Sequence, residues 1–139
     1  AGACFDVVSC QLGPVTAVTG GTVDPNQSFS TAASVFYDGG YIPGGAHGDA
    51  LKQNGNVLHF LNEAYKHYKT IGLEGEAAAI LPATKIQQAA DQNPGAPAMD
   101  GVIVCENPGG MGAFSNDFIA ALTAVRHFQR ASATTTVSA

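Results

Sequence analysis

The chain has 139 residues, a formal net charge of -5, 45% hydrophobic residues and only 12% charged ones. At this length one domain can bury roughly two-thirds of its unfolded surface, and six basic residues are too few for the electrostatic footprint that nucleic acid or an anionic membrane requires. No apolar run approaches the ~20 residues that span a bilayer, and no basic region precedes a hydrophobic one at the start, so neither a membrane anchor nor a signal peptide is expected.

In chain order, residues 4–10 (Cys-Phe-Asp-Val-Val-Ser-Cys) are rich in strand formers and open the chain inside a sheet. Cys4 and Cys10 on one extended segment would stand about 20 Å apart, beyond disulfide reach. With Cys105 they form an odd set without metal-ligand spacing, which favours a soluble protein of a reducing, intracellular compartment and leaves secretion open. Residues 13–30 carry short strand-like pieces at 15–18 and 22–23, broken by Gly20-Gly21 and Asp24-Pro25-Asn26, and read as a hairpin excursion.

Residues 39–42 are the next strand, running straight into Pro43-Gly44-Gly45, where the backbone can turn sharply and be approached closely. A helix follows over 56–69, with Val57, Leu58, Leu61, Ala64, Tyr65 and Tyr68 at helical spacing on one face. Residues 70–73 form a short strand that bends at once, over 72–76, into a helix from Gly75 which Pro82 ends. A loop composition over 87–98 precedes the uninterrupted apolar run 101–105, typical of a strand buried on both faces. The last helix is capped near Ser115 or Asn116, buries Phe114, Phe118, Ala121, Leu122 and Val125, and carries Arg126 and Arg130 near its carboxyl end, where they suit the dipole. Residues 131–139 are expected to be a flexible tail behind a domain of residues 1–130.

Strands alternating with helices predict an α/β fold: three layers, flavodoxin-like, with a mostly parallel sheet and right-handed crossovers. Several separate stretches, in order, carry a resemblance. They are Leu12-Gly13-Pro14-Val15, the run Phe36-Tyr37-Asp38-Gly39-Gly40-Tyr41-Ile42-Pro43-Gly44-Gly45, the segment from Leu58 to Gly72, Asn116-Asp117-Phe118-Ile119-Ala120-Ala121-Leu122, and Arg126-His127-Phe128. Together they resemble the carboxyl-terminal domain of large-subunit haem catalases, over nearly the whole chain. The resemblance implies a fold related to the DJ-1 and class I glutamine amidotransferase group. It also implies a separate catalase core that holds the haem, a homotetrameric parent that disproportionates hydrogen peroxide, and a stabilising or molecular-chaperone role for this domain on unfolded client proteins.

The sequence departs from that family at its start, where a first strand and helix are usual; in a 2-1-3-4-5 strand order their loss would leave unpaired backbone and apolar faces on two neighbours. The chain is therefore expected to be a fragment whose missing unit is lost, supplied as a partner by a separate chain, or replaced by a swapped strand. Relatives of the DJ-1 type place a cysteine on the bend between a strand and its helix, where the helix start lowers the thiol pKa. Here the expected bend position is Glu74, which cannot form a thioester, and Glu74 and Glu76 read as acidic decoration of a helix start.

Gly44, Gly45, Glu74, Gly75 and Cys105 are thus the candidates for a vestigial pocket, with no catalytic, cofactor-binding or metal residue expected in this domain. Cys105 reads as a small buried apolar residue, and His127 as a surface or subunit-contact residue. His59, Glu63 and His67 lie along one helix face, but the outer pair is about 12 Å apart and cannot share an ion. The loops 44–48 and 109–112 lack the endings that phosphate and dinucleotide cradles need. A DJ-1-like hydrolase or deglycase, on fold analogy, and a flavin- or anion-binding domain are the alternatives.

Overall fold

The structure, a computed structural model, describes residues 2–17, 19–95, 97–107, 110–135 and 137. Val18 of the expected hairpin, Ala96 of the expected loop, Gly109 of the second glycine-rich loop and residues 136, 138 and 139 of the expected tail lie outside them. β1 (Val8–Ser9) pairs in parallel with β4 (Gln27–Ser28), and β2 (Val15–Thr16) with β3 (Thr22–Val23) forms the expected antiparallel hairpin. The strand expected over 4–10 is cut to two residues because loop side chains take its backbone. Val7 N–H donates to Asn26 Oδ1 at 2.7 Å, while Asn26 donates to Asp6.

The main sheet is parallel, in the order β5 (Gly39–Ile42), β6 (Thr70–Glu74), β7 (Val102–Cys105). Its register sets Tyr41 beside Gly72 and Ile103, and Glu74 beside Cys105. Two helices lie before β6, α1 (Gly48–Leu51) and α2 (Gly55–Lys66), the latter capped by the Asn54 carbonyl, which accepts from Asn56 and Val57. α2 stops at Lys66, earlier than its apolar stripe predicts. Lys69 N–H reaches back to Ala64 O, and Tyr68 takes the left-handed conformation (φ 62) that usually falls to glycine after a helix.

A 3-10 helix, Gly75–Ala83, follows β6, with Pro82 inside its last turn. The stretch read as loop from residue 87 begins within a helix, α3 (Lys85–Gln92). Thr84 caps it through Ile86 N–H, and Ile86 and Ala89 are buried at i and i+3. α4 (Met111–Thr123) begins a turn before the expected Ser115 or Asn116 cap, and Val125 (φ 64) turns the chain just after it. Arg126 and Arg130 therefore lie beyond α4 and do not serve its dipole. The tail expectation also fails for its first residues. α5 (Ala131–Thr134) is helical, and Ala133 and Val137 are buried in the core, because Arg130, fully buried, anchors that segment to the carbonyls of Tyr65, Lys69 and Asp100.

Adjacent glycines show that the sheet is covered on both sides. A Cβ on Gly40 would lie 3.0 Å from Phe60 of α2, and one on Gly39 2.8 Å from Leu122 of α4. Side chains alternate between faces along a strand, so α2 and α4 lie on opposite faces. On the α2 face, Val57, Leu61, Ala64, Tyr65, Ile71, Leu73 and Ile86 make the main core. On the α4 face, Gly39 leaves room for Leu122 and Gly72 for aromatic rings. A Cβ on Gly72 would lie 2.7 Å from Phe118, and Phe114 is the only side chain of α4 that is buried.

Candidate functional site

The carboxyl ends of β5, β6 and β7 bring all five candidate residues to one edge. The bend after β6 is sharper and one residue later than expected, since Glu74 is still strand and the left-handed residue is Gly75 (φ 52). Only a residue without Cβ takes that conformation without cost, so the turn of the bend carries no side chain. Gly44 packs on the bend: a Cβ there would lie 3.2 Å from Glu74 O and 3.3 Å from Glu76 Oε2.

The two acidic side chains do more than decorate a helix start. Glu74 Oε2 accepts from the Tyr41 hydroxyl and, at 3.4 Å, from Gly44 N–H, while Glu76 Oε2 accepts from Gly45 N–H at 2.9 Å. The amides that could cradle an external anion thus hold two carboxylates of the chain itself. The pKa of Tyr41 is pushed up to about 12 by partial burial first, then by its bond to Glu74 and the negative charge of that carboxylate. It is a poor proton donor there. Cys105, 8% exposed, donates its S–H to Asn107 O at 3.1 Å and packs under Gly110. From sequence Glu76 was read only as acidic decoration of a helix start and Tyr41 only as part of the run 36–45; the register that pairs Tyr41 with Gly72 puts it on the face of Glu74.

The remaining candidates are dispersed. His67 pairs with Glu63 at 3.4 Å on the surface of α2, His59 is exposed, and among the described residues no group of three or more metal-ligating side chains occurs. His127 is a correction: it is buried, 6% exposed, with Nε2 3.0 Å from Thr70 Oγ1 and Nδ1 3.5 Å from Asp100. It sits there because Gly101 leaves the space, a Cβ on Gly101 falling 2.1 Å from the ring. Among the described residues no helix is long and apolar enough to cross a membrane.

An α/β domain with a parallel sheet, whose carboxyl edge ends in a glycine bend closed by its own carboxylates, is the class that fold and site define. Residues 1–132 match the model of the C-terminal domain found in long catalases, and the chain belongs to that family. It is 33% identical over 129 residues to Catalase-2 of Bacillus subtilis (strain 168), covering 93% of this chain and 17% of that protein. Over 76 residues it is 38% identical to Catalase-1 of Neurospora crassa, covering 54% of this chain and 10% of that one. Catalase HPII of Pseudomonas aeruginosa is 35% identical over 80 residues, 57% of this chain and 11% of the relative. The chain therefore spans 17% or less of the length of these three relatives.

Proposed function

We propose that the chain is a non-catalytic accessory domain of a large-subunit catalase, whose parent disproportionates hydrogen peroxide in a separate haem core, and that it stabilises the subunit or tetramer. The observation that carries the non-catalytic reading is the bend itself. Gly75 stands at the turn, Glu74 and Glu76 fill the Gly44 and Gly45 amides, and Cys105 is buried and bonded inward. Gly44, Gly45, Glu74, Gly75 and Cys105 form a vestigial pocket in this reading. Residues 1–130 make up the domain body, with Ala131–Thr134 packed onto it.

Haem does not fit this chain's own residues. The fully buried phenol–guanidinium pair, Tyr65 beneath Arg130 at 4.5 Å, is committed to backbone carbonyls, Tyr65 Oη donating to Ala98 O at 2.8 Å. The domain's contribution is thus packing surface. Phe5, Leu12 and Phe36 are each more than 60% exposed, an apolar load that fits contact with a catalase core, neighbouring subunits or unfolded client proteins. Among the described residues β5 pairs with β6 alone, leaving an edge suited to a strand-and-helix segment supplied from elsewhere.

Removing this domain from the parent catalase should shorten the half-life of thermal inactivation and weaken the tetramer on size-exclusion chromatography without changing the initial rate of peroxide loss. An unchanged half-life rejects the stabilising role. Light scattering of a heated client, with and without the chain, tests the chaperone part, which fails if an inert protein suppresses aggregation equally well. A thiol-selective probe that labels Cys105 fast, with turnover of any small aldehyde or ester lost in Cys105→Ala, would overturn the non-catalytic reading in favour of the DJ-1-like alternative. Slow hydrogen exchange of the Gly39–Ile42 amides in the parent and fast exchange in the isolated chain is expected of a strand-pairing edge; fast exchange in both rejects it.

A further inference from the structure

The chain has six lysines and arginines and a net charge of -5, yet two of those cations meet in one cleft at the amino edge of the main sheet, opposite the glycine bend. The cleft, shallow and largely open to solvent, has a volume of about 350 Å³ and is lined by Val35, His67, Tyr68, Lys69, Arg126 and Phe128. That volume lies within the range of small-molecule sites.

The cations are unequally satisfied. Lys69 is 4% exposed and spends two of its three N–H donors on Ser34 O and Tyr37 O, both at 2.6 Å. Its pKa is lowered by burial first and by Arg126 next, with Asp38 opposing. Arg126 Nη1 lies 3.4 Å from Asp38, a side chain 77% exposed, and donates to Val125 O at 2.7 Å. Asp38 is thus the one carboxylate paired with either cation among the described residues; His67 has its own partner in Glu63. One exposed acid shared between two cations leaves room for a second negative charge.

The walls are apolar. Val35 is 73% exposed and Phe128 65% exposed, and Phe128 leans on Tyr68 with ring centroids 5.1 Å apart. The two non-glycine residues with left-handed backbone among those described, Tyr68 and Val125, stand at this cleft, one lining it and the other preceding Arg126.

We propose that this cleft binds a small apolar monocarboxylate, its carboxylate held by Lys69 and Arg126 and its apolar body lying between Val35 and Phe128. Inorganic anions lack the part that the walls would cover, and neutral apolar molecules lack the charge that the cations call for. The site is at the end of the sheet opposite the vestigial pocket, so it stands or falls independently of the accessory-domain reading.

The test is a titration of the isotope-labelled chain with phenylacetate at constant ionic strength, followed by amide and side-chain NMR, with phenylethanol and acetate as controls. Saturable shifts at Lys69, Arg126 and Phe128 with phenylacetate, and not with either control at the same concentration, are expected. Arg126→Gln, whose thermal midpoint should match the parent chain, is expected to weaken phenylacetate roughly tenfold, the loss of one charge-assisted contact. Phenylethanol acting as well as phenylacetate, shifts confined to other regions, no saturation, or undiminished binding by Arg126→Gln each overturns the proposal.

Discussion

The two faces of the central sheet are built on different rules. Under α2, Ile71 and Leu73 of β6 are fully buried against Leu61, Ala64 and Tyr65, a close-packed aliphatic interior. Under α4, the same strand offers Gly72 and Glu74. Phe114 and Phe118 fill the space above Gly72, stacked with centroids 5.9 Å apart, and Tyr41 leans on both. The first face supplies stability through buried area, and the second trades area for close approach of rings to backbone. The difference teaches that the candidate site was built on the less fully buried face of its own strand.

The contrast can be broken most severely on the α2 face. Ile71→Ala should cost about 2–5 kcal/mol, the range for truncating a fully buried aliphatic side chain, read as a lowered denaturant midpoint with an unchanged slope. A loss below about 1 kcal/mol would mean that this face is not the core. On the α4 face, Gly72→Ala should cost about 1–3 kcal/mol, since the new methyl group meets the Phe118 ring and α4 must move outward. Phe118→Ala, starting from a partly exposed ring, should cost less than the 3–5 kcal/mol or so typical of a buried phenylalanine. The double variant should then lose less than the sum, because removing the ring makes room for the methyl group; strict additivity would deny their contact.

The smallest expected effect concerns Tyr41. Its folded pKa of about 12 lies above the ordinary tyrosine value of 10.0, so its proton is held more tightly in the folded chain. Stability from this group is complete below the unfolded pKa and is lost as pH rises from there through the folded value, because the unfolded chain releases its proton first. Tyr37 and Tyr65 shift the same way, while Arg130, lowered to about 10 chiefly by burial, acts in the opposite sense at alkaline pH. The measurement is therefore the difference between the parent chain and Tyr41→Phe, as ultraviolet titration of phenolate and as denaturant midpoint against pH. Identical alkaline profiles would show that Glu74 does not hold the phenol.

Much of this architecture was legible. The short strand at 70–73 and the uninterrupted apolar run at 101–105, the latter read as a buried parallel strand, both stand in the main sheet, and the Pro-Gly-Gly after Ile42 announced the edge where the candidate residues meet. Helix ends were legible less often. Tyr68 and Val125 turn the chain just after their helices in a conformation that favours glycine, so composition gave no stop signal, and the stretch beginning at Gln87 hid a helix whose cap, Thr84, lies before it. The segment after α4 misled most. Arg126, His127 and Arg130 look like a surface run, yet His127 and Arg130 are buried, because Gly101 opens space for one and three backbone carbonyls receive the other.

By itself, the sequence determined the alternation of strands and helices, the parallel sheet and the family, since these follow from local patterning and from motifs that stand in the chain as written. The tertiary structure alone decided that Glu74 and Glu76 close the glycine amides, that Gly75 and not Glu74 turns the bend, and that the last basic residues point inward. Those outcomes depend on groups some thirty to sixty-five positions apart meeting in space, as Glu74 meets Gly44 and Arg130 meets Tyr65, and no local pattern records such distances.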